Sequence, residues 1–329
     1  MDVNGDNKPD IIVANSGSGN VGVLLNTGNG TFTNQTTYLA GSSPNSVSVV
    51  DVNGDNKPDI IVANSGSGNV GVFLNTGDGT FTNQTTYLAG SSPHSVSVMD
   101  VNGDNKPDIV VTNTGSTNVG VLLNIGNGTF NTQITYSTGS YPQNGIAADV
   151  NGDNKPDIIV PNYFSDTVSI LLNTGNGTFA AQTAYSTGSG PQFVTVFNIN
   201  GDNKTDILVA NKLANTVDVL LNTGNGTFIN QATYPTYNNP SSLAIADAND
   251  DNKLDIIVAY SISYYVGVLL NTGNGTFTNQ TTYSTASNSW SLTVSDVNGD
   301  NKSDIIVANC DSSNVGVFLS VTQTSNFAG

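Results

Sequence analysis

The chain is 329 residues long and sets 25 acidic side chains against 8 basic ones, for a formal net charge of −17; Glu and Arg are both absent, so every acid is Asp. That balance excludes nucleic acid and anionic membrane surfaces as partners through bulk electrostatics and makes divalent cations the natural counter-charge. One His, one Cys (Cys310) and no Glu leave little for acid–base or nucleophilic chemistry and no internal disulfide, and no apolar run is long enough to span a bilayer.

In chain order, the first element is a turn. Met1 opens directly on the nonapeptide DVNGDNKPD, with no apolar leader, so a secretion signal is expected outside this segment. The nonapeptide recurs from Asp51, Asp100 and Asp149, then as NINGDNKTD from Asn198, DANDDNKLD from Asp247 and DVNGDNKSD from Asp296, always 49 residues after the last. The repeat units are therefore 2–50, 51–99, 100–148, 149–197, 198–246, 247–295 and 296–329, read as one domain over 1–329.

Within the second unit, β-branched and aromatic runs bounded by turn residues predict four strands, at 46–50, 59–63, 70–75 and 80–88. The Gly- and Asn-rich NTGDG forms a hairpin turn, and AGSSP leads into the next unit. Nothing has helical period. Four strands in a repeat of about 40–50 residues predict an all-β fold, a seven-bladed β-propeller. Unit 1 lacks an inner strand, because the chain starts at the turn. Unit 7 leaves the pattern after Leu319 and is expected to lack its outer strand. A monomer is expected, with association through unpaired terminal strands as the alternative.

The turns carry the chemistry. In Asp51–Asp59, side-chain oxygens stand at Asp51, Asn53, Asp55 and Asp59, and the Lys57 carbonyl can turn inward. Alternating oxygen donors are what a hard cation of calcium's size needs. The same five positions are Asp2, Asn4, Asp6, Lys8 and Asp10 in the first turn, and Asp100, Asn102, Asp104, Lys106 and Asp108 in the third. The fourth has Asp149, Asn151, Asp153, Lys155 and Asp157, and the fifth Asn198, Asn200, Asp202, Lys204 and Asp206. The sixth has Asp247, Asn249, Asp251, Lys253 and Asp255, and the seventh Asp296, Asn298, Asp300, Lys302 and Asp304, each Lys acting through its carbonyl. Position 12 is a strand valine (Val62), which rules out an EF-hand. Two carboxylates about 4 Å apart repel by roughly 4 kcal/mol at an effective dielectric near 20, so such clusters call for Ca2+, about one per repeat. Gly54 and Asn56 are expected to supply left-handed backbone. The Asn198 turn, one charge short, should bind most weakly, and Asp250 replaces the glycine of the sixth turn.

These turns, with the VGVLLNTGNGTF segment that follows, resemble the D-x-[DN]-x-D-x-x-x-D repeats of the FG-GAP/VCBS family, the propeller type of integrin α-subunits, from Asp2 to about Leu319. The resemblance implies calcium between the first two strands of each blade and roles in adhesion, glycan binding or attachment to larger proteins. Asn at position 6 departs from the family's usual glycine.

The calcium turns barely vary between units, whereas the opposite face does. Tyr163 and Phe164 replace a Ser-Gly turn in unit 4; Tyr260, Tyr264 and Tyr265 cluster in unit 6; and the residue opening the inner strand runs Asn45, His94, Gln143, Gln192, Ser241, Trp290. Rings beside amides suit a glycan or extracellular protein ligand, with His94, Tyr163, Phe164, Tyr260, Tyr264, Tyr265 and Trp290 as candidate contacts. The function expected is a non-enzymatic, extracellular or cell-surface recognition module. The alternatives are a passive calcium-rigidified spacer or a non-catalytic domain attached to a polysaccharide- or lipid-degrading enzyme.

Overall fold

The computed structural model describes residues 1–285 and 288–320. The second repeat shows how the sequence builds a blade. Pro44–Val50, Asp59–Asn64, Asn69–Phe73 and Thr85–Leu88 form one antiparallel sheet in chain order from inner to outer edge. The segment expected as one long outer strand is divided. Asn75–Gly77 and Thr80–Phe81 form a small separate hairpin, because Thr82 folds back on Leu74 through N–H to O (2.8 Å) and receives the Leu74 N–H on its hydroxyl (3.0 Å). In the fifth repeat Ile229, with its strong strand preference, pairs with Leu221 instead, and Thr216–Gly224 and Thr227–Pro235 run unbroken.

Seven such sheets follow one another, so the chain is an all-β, seven-bladed propeller with no α-helix among the described residues. Among those residues the first sheet has three strands (Ile11–Asn15, Asn20–Leu24, Thr36–Leu39) and lacks an inner one. The last (Ser289–Ser295, Asp304–Asn309, Asn314–Phe318) lacks an outer one. No helix among the described residues is long and apolar enough to cross a membrane.

The chain divides into two compact units, Met1–Asp149 with Asp153–Ala184, and Val150–Gly152 with the residues from Tyr185 onward. In the first, every residue of the second strand Asp59–Asn64 is buried, because the blade is covered on both sides. Ile60 and Val62 pack with Val21 and Val23 of the preceding blade, and Ile61 and Ala63 pack with Ile109 and Val111 of the next. Tyr87 meets Phe130 edge-on with centroids 5.3 Å apart, a repeated blade-to-blade tie contributing about 0.5–1.5 kcal/mol beyond area burial. In the second unit the same plan sets Leu208 and Val219 against Ile256 and Val258, and Ile257 and Val268 against Ile305 and Val307.

Candidate calcium turns and the variable face

Each nonapeptide is wound around its first side chain. Asp51 Oδ1 accepts the N–H groups of Asn53 (3.1 Å), Gly54 (2.7 Å) and Asp55 (3.3 Å), and Oδ2 accepts that of Asn56 (2.7 Å). Asn53 Oδ1 accepts the Asp55 N–H at 2.9 Å, and Asp55 Oδ1 accepts the Lys57 N–H at 3.0 Å. Such a wrap needs left-handed backbone, which Gly54 (φ 83°) and Asn56 (φ 63°) provide, as do their equivalents throughout. The sixth turn keeps the same course with Asp250 at φ 61°, a conformation that Asp, with its short polar side chain, tolerates.

Position 2 anchors the turn. Val3, Val52, Val101 and Val297 are buried, and the last Asp reaches back to the same residue: Asp59 Oδ2 accepts the Val52 N–H at 2.9 Å. Asp59 Oδ1 accepts the N–H of Asn75 at 2.8 Å, and Asn75 Nδ2 donates to the carbonyls of Pro58 (2.9 Å) and of Val3 one blade back (2.9 Å). Asn124 and Asn173 repeat the arrangement on Val52 and Val101. In sequence these residues read only as hairpin Asn; the signal available was that an Asn stands 16 residues after the last Asp of the first six turns, with Ser320 at that place in the seventh.

Burial raises the carboxyl of Asp59 to about 6, against hydrogen bonds from Asn75 and Val52 that lower it, with Asp55 and Asp51 adding repulsion. Asp108 is likewise raised to about 6, first by burial and then by Asp104 and Asp100. Burial also pushes up Asp104 at position 5, but the Lys106 ammonium and amide outweigh it and hold the group below the usual carboxylate range. The loop lysines thus act through their side chains, which neutralise the position-5 carboxylates. In the first six turns the ammonium stands 3.1–3.9 Å from the position-5 carboxylate. In the seventh, Lys302 pairs instead with Asp250 of the preceding blade.

Among the described residues no three carboxylates, His or Cys converge on one point; the turn oxygens face backbone N–H groups. The donor set nevertheless fits a hard cation: it is all oxygen, several of its carboxylates belong to one nine-residue wrap, and one of them is buried and held against its ionisation.

At the other ends of the strands the inner strand opens on a β-bulge. The register shifts at Pro93/Ser95, Pro191/Phe193, Pro240/Ser242 and Ser289/Ser291, so His94, Gln192, Ser241 and Trp290 are the extra residues. Bulges re-aim side chains, which explains why variation collects there. His94 is half-buried, and its carbonyl accepts Asn45 Nδ2 at 2.9 Å. Tyr163 and Phe164 form an aromatic cluster with Tyr141, which sequence reasoning missed, at centroid distances of 6.0 Å (Tyr141–Tyr163) and 4.6 Å (Tyr141–Phe164). Tyr141 has φ 61° at a position held by Ser43, Ser92, Gly190 and Asn239 elsewhere, an expensive conformation for a bulky side chain.

In the second unit Tyr264 and Tyr265 are exposed, and Tyr265 lies beside Tyr237, also missed, at 5.6 Å. Tyr260 is a correction: it is wholly buried, at the place of Asn64 in the repeat, and its hydroxyl meets Gln280 as Asn64 meets Gln84. Burial pushes its phenol well up, and it is a core residue rather than a surface contact. Trp290 is 47% exposed, with the Lys212 ammonium 4.9 Å from its ring centroid.

A family model described as FG-GAP-like repeat matches residues 2–62, 51–111, 100–160, 149–209, 198–258 and 248–307. No curated protein sequence matches the chain. Among solved structures, BBS1N in complex with ARL6DN is similar with TM-score 0.70 at 11% identity, covering 100% of this chain and 92% of that one. An Agrocybe aegerita lectin that recognises non-reducing terminal N-acetylglucosamine has TM-score 0.61 at 21% identity, covering 94% and 89%. A 6-phosphogluconolactonase candidate from Bacteroides fragilis has TM-score 0.71 at 16% identity, covering 95% and 91%. At these identities the likeness is one of fold, and that fold serves binding proteins and enzyme candidates alike.

Proposed function

Because the chain belongs to the FG-GAP-like repeat family, we propose that it is a calcium-binding propeller working as an extracellular recognition module, with a glycan or protein ligand held on the face opposite the calcium turns. Asp and Asn side chains at positions 1, 3, 5 and 9, with the position-7 carbonyl, would hold the cation, which when bound supplies the positive charge that the clustered carboxylates lack. Millimolar extracellular calcium suits turns of this kind. The turns carry nearly the same residue types from repeat to repeat, which suits a repeated cation-binding role, so the reading is non-catalytic.

The observation that carries the proposal is the Tyr141 cluster: an aromatic residue kept at positive φ, in a position where other repeats place Ser, Gly or Asn, beside two further rings of which Phe164 is 65% exposed. Strain retained at a surface site points to selection for what the side chain touches. The test is a glycan and matrix-protein binding screen in calcium and in chelator, repeated after Tyr141, Tyr163 and Phe164 are changed together to Ala. Calcium-dependent binding that the triple variant weakens supports the reading. Unchanged binding by that variant removes its aromatic part, and no binding to any glycan or protein removes the reading.

A further inference from the structure

Seven of the eight basic side chains lie in the calcium turns, and Lys212 is the exception. It follows Asn211, which pairs with Pro191 at the end of an inner strand, next to the bulge residue Gln192. Its N–H donates to the Gly190 carbonyl at 2.8 Å, which fixes the start of the side chain. From there the ammonium reaches the Trp290 ring, two blades on. Burial lowers the Lys212 pKa, so its charge is partly stripped of water and favours a counter-ion.

A cation whose backbone is fixed by the Gly190 carbonyl and an indole with 47% of its surface open therefore meet on the variable face. They match a small ring carrying an apolar face and one negative charge.

We propose that Lys212 and Trp290 form a subsite for a hexuronate residue of an acidic glycan. The sugar's C–H face stacks on Trp290 and its carboxylate pairs with Lys212. This rests on the recognition-module reading and specifies its ligand. It also gives a protein of net charge −17 a local means of accepting an anion.

Trp290 is the only tryptophan, so its fluorescence reports this subsite alone. Methyl glucuronide and methyl glucoside are titrated into the full chain in millimolar calcium. The glucuronide is expected to perturb the emission and to bind about tenfold tighter than the glucoside, the scale of one charge-assisted hydrogen bond. Lys212→Met should abolish that preference and Lys212→Arg should restore it, with circular dichroism confirming that both variants fold. Equal binding of the two sugars, or a preference that survives Lys212→Met, overturns the subsite while leaving a neutral-glycan or protein-binding module standing. An acidic peptide that perturbs the emission when neither sugar does overturns it too. Silence towards every glycan and protein in the wider screen defeats both readings.

Discussion

Asp108→Asn separates what the last turn carboxylate does for the fold from what it does for a cation. Asp108 is fully buried and accepts the N–H groups of Asn124 (2.8 Å) and Val101 (2.9 Å). Without metal it ionises near pH 6 rather than at 3.8, so holding it charged at neutral pH costs on the order of 2–3 kcal/mol. The amide removes that cost. It also keeps only one acceptor, and turns an NH2 towards the other N–H, losing about 1.5–3 kcal/mol. In chelator the two effects nearly cancel, and the variant should match the wild type to within about 1 kcal/mol. If the turn holds calcium as proposed, the wild type should gain roughly 0.6–1.8 kcal/mol at this site in about 2 mM calcium for dissociation constants of about 10⁻³–10⁻⁴ M, and the variant should forfeit most of it. Urea unfolding followed by circular dichroism, with and without calcium, reads both gaps. A gap of the same size in the two conditions refutes the reasoning, and so does a loss of several kcal/mol in chelator.

Three further outcomes follow from the same geometry. In chelator, stability should rise as pH falls from 7 to 5, because Asp59 and Asp108 have folded pKa values of about 6, above the ordinary 3.8, and the folded state therefore binds the extra protons. Calcium should reverse that slope, since protons then compete with the cation; parallel melts across pH check both signs. Asn124→Ala should cost about 2–4 kcal/mol in either condition, because it strands the carbonyls of Val52 and Pro107 that Asn124 Nδ2 now serves; a change under 1 kcal/mol in urea melts would count against the anchor. Tyr141→Asn exchanges positive-φ strain for lost ring contacts and should leave stability within about 1 kcal/mol while weakening ligand capture; a melt paired with the binding screen reads both.

The repeat length, the first three strands of the blade and the left-handed turn positions were legible in the sequence because they are local, whereas the division of the outer strand was not. Gly54 and Asn56 announce their backbone, and the apolar run Asp59–Asn64 announces a strand covered on both faces. What the sequence hid depends on register and on neighbouring blades. Nothing in NTGDG says that Asn75 serves a turn 72 residues earlier in the chain. Tyr260 looked like a surface aromatic beside Tyr264 and Tyr265 until its place in the register put it in the core. Tyr141 and Tyr237 lie in connections whose spatial neighbours come from the following repeat, so only the folded chain joins them to Phe164 and Tyr265. The Lys212–Trp290 pair spans two blades and has no sequence signature at all.

Equilibrium dialysis of the metal-free chain against calcium tests the central claim most directly. Saturable uptake approaching one ion per nonapeptide turn is expected, with the Asn198 turn filling last. Negligible uptake at millimolar calcium, by a chain that circular dichroism shows to be folded, would contradict it.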